Sequence, residues 1–149
     1  MADEERVISV SELKPPTKED VGDCERRDRQ REESAREPTF RMPNAADGPA
    51  VSQLIASSPP LDTNSAYCNL LQCTDFAETC VLAERDGRAI GWISAYRPPG
   101  APDRLFVWQV AVAAEARGEG LAGKMLDELI RRPAAAGATA LTTTVTPDN

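Results

Sequence analysis

Apolar residues are sparse over the first 37 positions of the chain and then recur in short, regular blocks. Thr39-Phe40-Arg41-Met42 predicts a short strand that Pro43 stops. Asn44 to Asp47 supply capping residues, and Ala50, Val51, Leu54 and Ile55 then fall on one helical face. Ser57-Ser58-Pro59-Pro60 ends that helix, because a residue before proline is pushed out of the α region. Leu61 to Tyr67 leads into a second helix that runs to about residue 76, with Leu70 and Leu71 as its apolar anchors. Residues 80–84 read as a strand, Asp86-Gly87 is a strong hairpin signal, and 89–96 form the returning strand. A Pro98-Pro99-Gly100-Ala101-Pro102 loop leads to a strand over 105–112. A helix over about 120–132 stops near Pro133, and 141–145 is a β-branched strand.

The predicted order is β-α-α-β-β-β-α-β, without internal repeats. The fourth strand, its helix and the fifth strand form a right-handed β-α-β unit with parallel strands, whereas the earlier strands are joined by a hairpin and run antiparallel. The expected fold is therefore α/β (α+β) in class: a mixed, mostly antiparallel sheet flanked by helices.

Charge narrows the function. The net charge of −7 divides into −4 over residues 1–37 and −3 over the rest, so neither part offers the basic patch that nucleic-acid binding needs. Residues 1–37 carry twelve acidic and eight basic side chains and few that could build a core, which predicts a disordered charged tail. No apolar stretch is long enough to span a bilayer or serve as a signal-peptide core, so a cytoplasmic protein with no membrane partner is expected. The cysteines, Cys24, Cys68, Cys73 and Cys80, form no C-x-x-C pair and the chain has no histidine, so no metal site is expected. The missing histidine also removes Ser-His and Cys-His nucleophiles, leaving carboxylates, tyrosine, backbone dipoles and water for chemistry.

Arg117-Gly118-Glu119-Gly120-Leu121-Ala122 stands between a predicted strand and a predicted helix. Glycine weakens a helix by roughly 1 kcal/mol relative to alanine, so two of them at a helix start suggest that something approaches the backbone. A helix start presents unpaired N–H groups and partial positive charge, an arrangement suited to phosphate. Arg117 adds a fixed charge, and Ala122 permits close packing in the first turn. Gly118, Gly120 and Gly123 also satisfy the dinucleotide-binding pattern G-x-G-x-x-G, but here the turn follows the fourth strand rather than the first. Glycines that merely shape a turn are the third reading.

The same six residues match the acetyl-CoA-binding motif Q/R-x-x-G-x-G/A of the GNAT acetyltransferases, at the place between strand 4 and the next helix where that family carries it. Leu61 to Tyr67, Gly91 to Pro99 and Leu105 to Val112 further resemble the diaminobutyrate acetyltransferase branch of that family, over residues 38–149. The resemblance implies a domain at 38–149, acetyl-CoA as co-substrate, and transfer of its acetyl group to the γ-amine of L-2,4-diaminobutyrate on the route to the osmolyte ectoine. It implies that strands 4 and 5 part, that Val110, Ala111 and Val112 pair with the pantetheine arm, and that amides from Arg117, Gly118, Glu119, Gly120, Leu121 and Ala122 hold the pyrophosphate. Asn149 matches a position after strand 5 that often meets the cofactor.

For the substrate, the expected contacts are Asp62 for an ammonium, Asn64, Ser65 and Tyr67 for hydrogen bonds, and Trp108 for a cation on its indole face. Plain helix capping is the alternative for the Asp62-Thr63-Asn64-Ser65 segment, and a place in the core is the alternative for Trp108. No residue stands out as the catalytic base. GNAT domains normally continue past strand 5 with a helix and closing strands, so the resemblance implies a C-terminally incomplete domain. An acetyltransferase for another amine, or a coenzyme A-binding module without turnover, are the alternative functions, and a homodimer is compatible with the resemblance.

Overall fold

The computed structural model describes residues 37–144; the expected tail, apart from Glu37, and Asn149 lie outside the described residues. The observed order is β1 (Thr39–Arg41), α1 (Gly48–Ala56), α2 (Ala66–Cys73), β2 (Val81–Arg85), β3 (Arg88–Tyr96), β4 (Arg104–Val112), α3 (Leu121–Arg131) and β5 (Ala140–Thr142). The five strands form one sheet in sequence order. β1 to β4 are antiparallel and β5 runs parallel to β4, as the predicted hairpins and crossover require.

Local chemistry explains most boundaries. Asp86 and Gly87 both take positive φ, 51° and 74°, the geometry of a tight hairpin turn whose twist suits the flanking strands. Asn44 and Asp47 form a reciprocal cap ahead of α1, and Arg41 forks onto Asp47 at 2.7 and 2.8 Å while its Nε donates to Glu84 at 2.9 Å. Along α3, Leu121, Met125 and Leu129 recur every fourth residue and are buried. The core is completed by Trp92, Ile93, Leu82, Leu105, Val51 and Ile55.

The two faces of the sheet are distinguishable. A Cβ added at Gly91 would lie 2.8 Å from Met125 Sδ, so Gly91 faces α3. Ser94 lies three residues further along β3, on the other face, and its cross-strand partner Gln109 shares that face. Gln109 bonds to the segment leading into α2, so α2 covers the face away from α3.

Two details differ from the sequence pattern. α2 ends at Cys73, short of residue 76, and its buried side carries Asn69, Gln72 and Cys73 while Leu70 is exposed. Apolar anchoring fails as a guide there because this helix covers the sheet through amide groups. β4 also contains one residue too many: Ser94 pairs with Gln109 and Ala95 with Val107, which leaves Trp108 as the bulge.

Candidate active site

The glycine turn is built for access. Gly118 and Gly120 both take left-handed φ, 81° and 72°, and Gly120 is the N-cap of α3 without any side-chain cap. Among the described residues nothing lies within 4 Å of a Cβ added at Gly118, Gly120 or Gly123, so no side chain of theirs crowds the start of α3. Arg117 is exposed and its Nε donates to the Val112 carbonyl at 3.2 Å, which ties the motif's cation to the end of β4. Glu119 points back to the sheet, where Arg85 donates to its carboxylate from both terminal nitrogens. That pairing holds the Glu119 carboxyl below the usual carboxylate range. Arg85 had no sequence signal: a charged residue ending a strand ordinarily reads as a solvated one.

β5 pairs with β4 only at Arg104, Leu105 and Phe106, and of these Phe106 alone also pairs with β3. From Val107 to Val112, β4 pairs with no strand other than β3 among the described residues. Every second residue of that stretch therefore offers its N–H and C=O away from β3. Val110 and Val112 point these groups to the open edge, whereas Ala111, opposite Trp92, points them to β3.

On the α2 face, an amide network holds the segment that was expected to contact substrate. Gln109 Nε2 donates to the Asp62 carbonyl at 2.8 Å, and Asn64 Nδ2 donates to Gln109 Oε1 at 2.7 Å and Asn69 Oδ1 at 3.0 Å. Asn69 in turn donates to Ser52 Oγ on α1 at 2.7 Å. Asn64 thus positions the segment, Ser65 caps α2 by accepting from the Cys68 N–H at 3.1 Å, and the Asp62 side chain is exposed.

Next to this network lies a cavity of about 310 Å³ between α2 and the β3–β4 bulge. Ser65, Tyr67 and Trp108 line it together with Tyr96, Phe76 and Gln72. Tyr67 and Trp108 are 68% and 48% exposed, so Trp108 belongs to the cavity rim rather than the core, a place taken by Trp92. Tyr96 meets Trp108 edge-on at 6.2 Å and Phe106 at 5.4 Å. Of the residues expected at the substrate, the structure brings Ser65, Tyr67 and Trp108 to one cavity and leaves Asp62 and Asn64 outside its lining.

The profile of the Acetyltransferase (GNAT) family matches residues 49–149. The chain belongs to the GNAT acetyltransferase family. Within the family it is similar to the L-2,4-diaminobutyric acid acetyltransferases of Vibrio parahaemolyticus, 47% identical over 79% of this chain, and Methylotuvimicrobium alcaliphilum, 49% identical over 74%. It spans 65% and 64% of the length of those two relatives. Its fold is similar to that of diaminobutyrate acetyltransferase EctA from Paenibacillus lautus, solved in complex with its substrate L-2,4-diaminobutyric acid and coenzyme A. The TM-score is 0.74 at 45% identity, covering 76% of this chain and 68% of that one. No helix among the described residues is long and apolar enough to cross a membrane.

Proposed function

We propose that this chain, with its catalytic domain at 38–149, transfers an acetyl group from acetyl-CoA to the γ-amine of L-2,4-diaminobutyrate in the cytoplasm, giving N-γ-acetyldiaminobutyrate for ectoine synthesis. The observation that carries the reading is a juxtaposition. An open glycine turn at one end of β4 and an aromatic cavity at its bulge are joined by a stretch of the same strand that pairs with β3 and has no strand on its other edge among the described residues. Similarity to an enzyme solved with that amine and coenzyme A selects the substrate.

Acetyl-CoA supplies an activated acyl carbon as a thioester. Gly118, Gly120 and the first-turn amides of α3 receive the pyrophosphate, with Arg117 as the adjacent charge. Val110 and Val112, on either side of Ala111, hold the pantetheine arm through their outward backbone groups. Tyr67 and Trp108 border the amine, and the exposed Asp62 carboxylate is free to pair with an ammonium of the substrate. The amine nitrogen forms the new C–N bond as the C–S bond breaks, and the proton lost from nitrogen balances the thiol released. Holding nitrogen at attack distance supplies much of the rate, and an outward N–H of β4 stabilises the developing oxyanion.

A free-thiol assay with acetyl-CoA and L-2,4-diaminobutyrate tests the reading, with the product identified by mass spectrometry. Release of coenzyme A with formation of the γ-acetylated product is expected. Release with another amine and none with diaminobutyrate overturns the substrate, and calorimetric binding of coenzyme A without turnover of any amine overturns the activity. Gly120→Asp is expected to abolish coenzyme A binding, whereas unchanged affinity removes the diphosphate role from the turn.

A further inference from the structure

β5 is scarcely held by the core. It spans only Ala140–Thr142, and Ala140 and Leu141 are exposed among the described residues. Its three rungs to β4 are parallel, the slightly weaker kind of pairing. A side chain from the end of another strand helps to locate it. Arg97, directly after β3, donates through Nη1 to the Pro102 carbonyl, two residues before β4 begins. Through Nη2 it donates to the Ala134 and Ala136 carbonyls at 2.9 and 3.1 Å, in the connection from α3 to β5. That connection turns through bonds from the Ala136 N–H to the Pro133 carbonyl and from the Ala138 N–H to the Ala135 carbonyl, so Arg97 takes the two carbonyls that alternate with them. The Thr139 N–H then donates to the Asp103 carbonyl at 2.7 Å and stitches the two strand entries together. One guanidinium thus joins the approach to β4 and the approach to β5.

We propose that Arg97 is a positioning residue for the cofactor: its guanidinium sets the direction in which β5 leaves β4, and with it the gap that takes the pantetheine arm. This deepens the acetyltransferase reading and rests on it. An arm bonded to the outward groups of Val110 and Val112 lies on the edge of β4 that β5 occupies at Arg104, Leu105 and Phe106. Its fit therefore depends on how β5 departs from its last rung. Three rungs alone resist pivoting poorly, and a second anchor further back along the connection fixes direction as well as place. Arginine suits this task because its planar fork reaches carbonyls of two segments at once in set directions, whereas lysine is a point charge. The diphosphate turn stands at the other end of β4 and is moored to β2 through Glu119 and Arg85, so it does not depend on Arg97. Without the guanidinium the phosphate grip stays intact, while ordering β5 becomes part of the cost of binding the arm.

The test is calorimetry on the full chain with two probes: coenzyme A, and 3′-phosphoadenosine 5′-diphosphate, which carries the same phosphates without the arm. Arg97→Met is expected to weaken coenzyme A about tenfold and to leave the affinity of the armless probe unchanged. Arg97→Lys, which keeps stem and charge but loses the fork, is expected to show a smaller loss of the same kind, and gives the comparison should Arg97→Met not fold. Hydrogen exchange on the ligand-free variants is expected to quicken over residues 133–142 while β2 and β3 stay protected. Unchanged coenzyme A affinity in the folded variants, an equal loss for both probes, or unchanged exchange over 133–142 overturns the role of Arg97 and leaves the acetyltransferase reading intact. An unaltered chain that binds coenzyme A but acetylates no amine overturns the activity, and the same variants still decide the role of Arg97. An unaltered chain that binds the armless probe as tightly as coenzyme A overturns both, because the arm then finds no hold beside β4.

Discussion

Arg85, at the end of β2, and Glu119, between the two glycines of the turn, are thirty-four residues apart in sequence and joined through both guanidinium nitrogens. Arg85 is buried and its partner is exposed on the turn. The pair anchors to the sheet a loop that two glycines would otherwise leave free to flex. Glu119→Ala is therefore expected to weaken coenzyme A binding several-fold by calorimetry and to lower the melting temperature, because a buried guanidinium loses its partner. The double variant Arg85→Met/Glu119→Ala recovers stability but not affinity. If the single variant binds coenzyme A as the unaltered chain does, the pair has no part in shaping the turn.

Glycines 91 and 120 are expected to fail differently on substitution by alanine. At Gly120 there is open space but φ is 72°, so alanine costs about 1–2 kcal/mol of backbone strain and acts on cofactor affinity. At Gly91 the backbone is ordinary, but the new Cβ meets Met125 Sδ at 2.8 Å and Ala83 Cβ at 3.0 Å. Gly91→Ala should thus cost about 1–3 kcal/mol in urea unfolding by overpacking, with coenzyme A affinity little changed. Equal loss of affinity in both variants contradicts this division.

The Arg41–Asp47 fork gives acid sensitivity a definite origin. The Arg41 guanidinium holds the Asp47 carboxyl below its ordinary value. Its stabilisation is therefore complete above the ordinary carboxylate range, near pH 4–5, and is lost as pH falls through the depressed native value. Asp47→Asn is expected to lower stability at pH 7 by about 1–2 kcal/mol and to flatten the acid side of the stability curve. A variant whose stability retains the same slope between pH 5 and pH 3 would place the titrating group elsewhere.

Cys73 and Cys80 should be silent toward thiol reagents in the folded protein. Burial raises their pKa values to about 11 and about 12, so little thiolate exists at pH 8. Cys68, on the cavity wall, is only half-buried and is expected to react first among these three. Peptide mapping after iodoacetamide labelling in native buffer and in urea checks the order, and early labelling of Cys80 contradicts the packing.

Much of the fold was legible because its signals are local. Asp86-Gly87 needs only its own backbone preferences to define a hairpin, and the spacing of Leu121, Met125 and Leu129 defines a helix face. The glycine turn could be read for the same reason. The cavity could not, since its polar groups lie where a sequence pattern expects either apolar anchors or solvent. Gln72 looks like a surface residue until α2 is seen to bury its amide face, and Ser94 looks like a neutral strand residue until β3 brings it to the same cavity. Asn64 illustrates the converse: a residue type chosen for substrate contact is engaged by Gln109 and Asn69, which lie far from it or on another element. Tertiary pairing, invisible in one dimension, decides which amides remain available.

The extra residue in β4 has a consequence for how such a protein can change. With Trp108 removed, Val107 and Gln109 would become neighbours and meet Ala95 and Ser94 in an unbroken ladder. A single-codon deletion would therefore tidy the sheet and remove the indole from the cavity, leaving Tyr67, Tyr96 and Phe76. Regularity of the sheet and an indole at the cavity are thus mutually exclusive at this position.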